Sequence, residues 1–234
     1  MKTVYGDVKE VIPSNAPPPK GMAVRTTTYC DANLMHDLVT GRSCSGIEHF
    51  VNQTPIAWFS KRQNQVETAT YGSEFMAARQ AVEQIVDLRY TLRMMGVPLD
   101  GASWLFGDNQ SVVTQSTIPH SVLSKRWNAL SYHRVREAIA AGYIRFEHLD
   151  GKDNPADILT KNLPHHVAKA FTEPLLFWKG DTADYHIEKV DEDSDLINES
   201  TQPQEEGSDE VFFSEAFVGL ANYDVSKGGA GAHI

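Results

Sequence analysis

Residues 102–110 read ASWLFGDNQ, and how this stretch is taken decides the fold. Its Trp, Leu and Phe make a short apolar run of strand type. The turn-forming Gly107, Asp108 and Asn109 close it, and a short helix follows from about Asn109. A long helix precedes it. In TYGSEFMAARQAVEQIVDLRYTLRMM (residues 70–95), Phe75, Ala78, Val82 and Ile85 recur at three- and four-residue spacing, continued by Leu88, Leu92 and Met95. Gly96 and Pro98 stop that helix. A strand entered from one helix and left into another is joined to its neighbours by crossovers, not hairpins.

Upstream, VRTTTYC (24–30), SGIEHFVN (45–52) and TPIAWFSKRQ (54–63) read as three strands, the last two joined by the polar Asn52–Gln53. Downstream, SKRWNALSYHRVREAIAAG (124–142) reads as a second long helix ended by Gly142. YIRFEHLD (143–150) reads as a fifth strand, and NPADILTKNL (154–163) as the start of a last helix. A three-strand meander followed by crossovers predicts an α/β fold, a mixed five-stranded sheet flanked by helices. Residues 1–25 contain PSNAPPPKG and read as a proline-rich extended linker. The folded domain spans 26–165, and 166–180 form an apolar extension able to dock on it through Phe171, Leu175, Leu176, Phe177 and Trp178.

Charge is distributed unevenly. Fourteen of the 31 acidic residues and two of the 21 Lys and Arg residues lie from Asp181 onward, so that segment carries −12 and the first 180 residues +2. The acidity therefore does not argue against nucleic-acid binding by the body. Residues 181–234, acidic and rich in Ser, Gln and Gly, read as a disordered tail. No apolar run reaches the roughly 20 residues of a membrane span, and the first residues lack the apolar block of a signal peptide. Cys30 and Cys44 make no disulfide framework. The expectation is an intracellular, cytoplasmic protein without membrane partners.

Four carboxylates fall at corresponding places: Asp31 at the end of the first strand, Glu74 one turn into the long helix, Asp108 at the end of the fourth strand, and Asp157 in the first turn of the last helix. Each has an ordinary explanation. Asp108 caps the following helix, Asp157 sits at N3 behind an Asn154 cap and Pro155, Glu74 is a solvated first-turn acid, and Asp31 orders a turn. Taken together they stand at one end of one sheet, where sites form in open α/β folds. Crowded carboxylates raise one another's pKa unless a cation lies between them. Hard divalent ions such as Mg²⁺ or Mn²⁺ suit such ligands, and a pair of them clamps the attacking and leaving oxygens of a phosphodiester.

YCDANL with TGRSCSG, then TPIAWFSKRQ, VETATYGSEFMAA, GDNQSVV, LSYHRVREAI and GKDNPADILTKNLP, resemble the ribonuclease H domain of copia-type LTR-retrotransposon polyproteins, in order over about residues 26–165. The resemblance implies that Asp31, Glu74, Asp108 and Asp157 bind two Mg²⁺ ions, replaceable by Mn²⁺, and that the chain cleaves the RNA strand of an RNA–DNA hybrid beside a reverse-transcriptase domain. The short loop DGKDNPAD holds no histidine ahead of the last aspartate, unlike many cellular ribonucleases H. His148 reads as structural and His133 as a packed helix residue. Ser73, Asn109 and Gln110 lie beside the acids as contacts for 2′-hydroxyls and phosphates. Lys125, Arg126, Arg134 and Arg136 offer a basic helix face, with Trp127 either stacking on nucleic acid or packed. The competing readings are a decayed, non-catalytic hybrid-binding module and an integrase- or resolvase-like nuclease.

Overall fold

A computed structural model of the chain describes residues 1–123 and 125–176. Five strands, β1 (Thr26–Asp37), β2 (Arg42–Val51), β3 (Thr54–Arg62), β4 (Ser103–Gly107) and β5 (Ile144–His148), form one sheet in the order 3-2-1-4-5. β1 pairs antiparallel with β2, and β2 with β3, whereas β4 lies parallel to both β1 and β5. The helices are α1 (Lys2–Tyr5), α2 (Thr70–Met94), α3 (Gln110–Thr117), α4 (Ala129–Ala140) and α5 (His165–Leu176). This is the mixed five-stranded sheet with flanking helices that the sequence predicts.

The core forms where α2 and α4 meet the sheet. Phe75, Ala78, Ala81, Val82 and Ile85 of α2 and Val135 and Ala138 of α4 pack on Cys30, Ile47, Leu105, Ile144 and Phe146. Each large side chain removed from water there contributes about 1.5–3 kcal/mol. The alanines bring the α2 backbone close to the sheet, so the first turn of that helix sits near the strand ends.

Several elements differ from the sequence reading. β1 does not end at Cys30. Its parallel pairing with β4 stops at Cys30–Gly107, but β2 carries the ladder on through Asp31–Gly46 to Asp37–Arg42. Asp31 therefore lies inside a strand, at the point where one of its two partners leaves. The second long helix is broken, because Arg126–Asn128 form a separate 3₁₀ turn ahead of α4. The last helix is split as well: Pro155–Leu159 are a 3₁₀ turn, and α5 starts only after Pro164.

The N-terminal segment has a helical turn at Lys2–Tyr5, where none was expected, and its following residues are pinned to the domain. Glu10 accepts hydrogen bonds from Arg89 and Arg93 of α2, at 2.7 Å from the Nη2 of each, and its backbone N–H donates to the Ala141 carbonyl. Burial opposes ionisation of Glu10, but the two guanidinium groups outweigh it and hold the pKa at about 2. Both cysteines are buried free thiols. Among the described residues no helix is long and apolar enough to cross a membrane. Phe177, Trp178 and the acidic segment 181–234 lie outside the described residues.

Candidate active site

Asp31 enters from the middle of β1 and is fully buried. Asp108 follows the last residue of β4, one step beyond the Gly107 that pairs with Cys30. Glu74 comes from the first turns of α2 and is 5% exposed. One carboxylate oxygen of each of these three lies within 4.8 Å of the others. The parallel strands set Asp31 and Asp108 side by side, and the N-terminal end of α2 lowers Glu74 between them. Glu74 and Asp108 open on a cleft also lined by Asn33, Thr70, Asn109 and Lys161, with Asp31 buried behind them.

The capping explanation for Asp108 does not hold. Asn109 caps α3, its side-chain oxygen accepting from the Ser111 and Val112 N–H groups at 3.1 and 3.2 Å. Asp108 is left to the cleft. Nor is Glu74 a solvated acid: burial, then the charges of Asp31 and Asp108, push its pKa well above the carboxylate range. Burial and the Asp31 charge raise Asp108 likewise. Buried carboxylates that repel one another suit hard, oxygen-seeking divalent ions, and Mg²⁺ or Mn²⁺ fit the donor set.

Asp157 lies outside that converging set and is brought beside Asp31, through Lys161, by a different route. Asn154 caps the 3₁₀ turn by accepting from the Ala156 N–H, and its amide donates to the Cys30 carbonyl at 3.0 Å. Asn33 donates to the Thr160 carbonyl at 3.0 Å. The turn is thus tied to β1 on both sides of Asp31. Thr160 donates its hydroxyl proton to Asp31 Oδ2. Lys161 spans the two aspartates, with Nζ 3.2 Å from Asp31 Oδ1 and 2.7 Å from Asp157 Oδ1. Burial works against that ammonium, but the Asp157 hydrogen bond and the Asp31 charge push its pKa up to about 12. Burial lifts Asp157 to about 6 in spite of the lysine, and the Asp31 charge adds to the rise. Sequence reading gave Lys161 no role, although its i,i+4 spacing from Asp157 is a signal for such a pair.

The remaining expected contacts divide. Gln110 is exposed beside the cleft, its amide donating to the Thr114 hydroxyl. Ser73 is fully buried and donates its hydroxyl proton to the Thr70 carbonyl, so it is unavailable to a ligand. Trp127 is 65% exposed, which removes the packed alternative, and Lys125 Nζ lies 5.8 Å from its ring centre. Arg126 shares the 3₁₀ turn with Trp127 and is exposed.

The basic helix face does not form as one surface. Arg126 is not on α4, Arg134 pairs with Glu137 at 3.3 Å, and Arg136 is buried, donating to the carbonyls of Gln115, Ile118 and Pro119. His133 is exposed rather than packed and shares a hydrogen bond with the Tyr5 hydroxyl. His148 donates through Nε2 to the Asp108 carbonyl at 3.0 Å.

In sequence the chain is similar to retrovirus-related Pol polyproteins of transposons. It is 24% identical over 156 residues to that of transposon RE2 from Arabidopsis thaliana, covering 67% of this chain and 11% of the relative. It is 25% identical over 138 residues to that of transposon TNT 1-94 from Nicotiana tabacum, covering 59% of this chain and 10% of the relative. The chain thus spans about a tenth of the length of these relatives. No family model matches it. Among solved structures it aligns with RNase H1 from Halobacterium salinarum at 17% identity and TM-score 0.44, covering 58% of this chain and 94% of that one. It also aligns with LC11-RNase H1 in complex with an RNA/DNA hybrid at 15% identity and TM-score 0.46, covering 58% and 94%.

Proposed function

We propose that this domain is a ribonuclease H that hydrolyses the RNA strand of RNA–DNA hybrids with two divalent ions, within the reverse-transcription apparatus of a retrotransposon. The observation that carries this reading is the convergence of Asp31, Glu74 and Asp108 within 4.8 Å, with Asp157 held against the same cleft. Bound Mg²⁺ supplies Lewis-acid polarisation of the scissile phosphate and an activated water. The chain's own contribution is positional. β1 and β4 fix two acids on a rigid sheet, α2 adds the third, and the buried surroundings strengthen every charge interaction inside the cleft.

Asn109 and Gln110 stand at the cleft to meet 2′-hydroxyls and phosphates, and Lys125, Arg126 and Trp127 form a small exposed basic and aromatic corner for the backbone. Recognition through sugar and phosphate gives cleavage that is tolerant of sequence and specific for RNA. The transposon Pol relatives support a reverse-transcriptase domain as the functional partner. The test is cleavage of a strand-labelled hybrid in Mg²⁺. RNA-strand products ending in 3′-hydroxyl are expected, and equal cutting of duplex DNA, or binding without cutting, overturns the reading.

A further inference from the structure

The carboxylate oxygens that converge within 4.8 Å come from Asp31, Glu74 and Asp108. Asp157 stands beside that group, joined to it by the Lys161 ammonium, which touches Asp31 Oδ1 on one side and Asp157 Oδ1 on the other. Lys161 is well placed to hold this post. Its backbone N–H donates to the Asp157 carbonyl at 2.9 Å, which fixes the start of its side chain. Thr160, the residue before it, anchors the other oxygen of Asp31. The lysine side chain is 34% exposed, so its head lies between two acids while a path to solvent stays open.

We propose that Lys161 is a resident cation filling the position between Asp31 and Asp157, so that the cleft takes one divalent ion readily and a second only when the ammonium swings out. A divalent ion held by Asp31, Glu74 and Asp108 leaves the lysine in place, since each Asp31 oxygen keeps a lone pair beyond the one that accepts from Lys161 or Thr160. An ion shared by Asp31 and Asp157 meets a positive charge already bonded to both acids, and must displace it. Lys161 then acts as a positioning residue: it keeps Asp157 against Asp31 before the second ion arrives and sets the concentration at which that ion enters. Its purpose rests on the hydrolytic reading above, but its test does not.

The experiment titrates the metal-free 234-residue chain with MnCl₂, by calorimetry and by the electron paramagnetic resonance signal of free Mn²⁺. Wild type is expected to bind one Mn²⁺ with a second at least tenfold weaker. K161M should bind the second at least tenfold more tightly than wild type does, and K161R, which keeps the charge, should behave as wild type. Metal-free K161M should also melt below wild type and regain the difference in saturating Mn²⁺. Should K161M not fold without metal, it is refolded in Mn²⁺ and dialysed, and two retained ions against one in wild type are the supporting count. Identical isotherms for wild type and K161M, or equal retained counts, overturn the proposal. A wild type that shows this Mn²⁺ pattern but cuts no hybrid overturns the nuclease reading and leaves the role of Lys161 intact.

Discussion

Gly46 faces Asp31 across the β1–β2 ladder, and the space a side chain at 46 would need is taken by the turn that carries Asp157. A Cβ there would come within 2.7 Å of Thr160 Cγ2, 2.8 Å of the Ala156 carbonyl oxygen and 2.9 Å of Leu159 Cβ. One of these is backbone and none is the end of a flexible chain, so the turn must move. Gly46→Ala is expected to cost about 1–3 kcal/mol. Hydrolysis should fall further than stability does, because the displaced group is the one holding Asp157 and Lys161. Denaturant unfolding and hybrid cleavage, measured side by side, check this, and a variant with wild-type activity contradicts the placement.

Asp31→Asn and Asp108→Asn should both abolish hydrolysis in Mg²⁺, yet they should move the metal-free stability in opposite directions. Asp108 gains no lysine hydrogen bond and raises the pKa of Glu74, so neutralising it relieves repulsion. The expected gain is about 1 kcal/mol, or roughly 2–4 °C in a chain of this size. Asp31→Asn instead removes half of the Lys161 bridge and lowers the melting point. Melting curves in EDTA distinguish the two, and parallel shifts would contradict the asymmetry.

Glu10→Gln tests the N-terminal strap. The Glu10 pKa is depressed in the folded chain to about 2 from an ordinary 4.5. Its stabilisation is therefore fully present above about pH 4.5 and is lost as pH falls through about 2. The substitution should cost about 2 kcal/mol at pH 7, and the gap between variant and wild type should close in acid. Hydrogen exchange at the backbone N–H of Glu10 reports the release directly.

Glu48 runs the other way. Burial pushes its carboxyl up to about 7, and among the described residues its Oε2 has no hydrogen-bond partner. The folded chain keeps a proton that the unfolded chain gives up, so stability falls as pH rises from about 4.5 through 7. Glu48→Gln should raise stability at pH 8 by about 2–3 kcal/mol and leave it unchanged below pH 4.5. A variant equally stable with wild type at pH 8 would show that the carboxylate is better solvated than its burial indicates.

Replacing both Lys125 and Arg126 by Gln should weaken hybrid binding and lower the slope of log affinity against log salt by roughly 1–2. The rate at saturating substrate should stay the same, since neither residue touches the converging acids. An unchanged slope would remove this corner from the binding surface.

The sheet was legible because each strand carries its own local signal, and the helices because α2 repeats its apolar residues over many turns. What escaped were features set by which way a side chain turns once the helix has packed. Ser73 and Arg136 sit at positions that a helix leaves open or closed according to its neighbours, and both are buried. The four acids could be named from their places in the elements, but the priority of Asn109 over Asp108 as the α3 cap needed hydrogen-bond geometry. Lys161 was missed for a related reason. Its partner Asp31 lies 130 residues away in sequence, and only the folded turn brings them together.

That separation gives the cleft a timetable. During synthesis β1, α2 and β4 are complete before the turn at Pro155–Leu159 exists, and contacts between distant segments form late. A growing chain can bring Asp31, Glu74 and Asp108 together while the ammonium that belongs beside them has yet to be made. In that interval the acids repel without the Lys161 charge that offsets them in the finished domain. Arrival of Lys161 supplies that charge, so the order in which the segments emerge decides when the acidic cleft is first balanced from within.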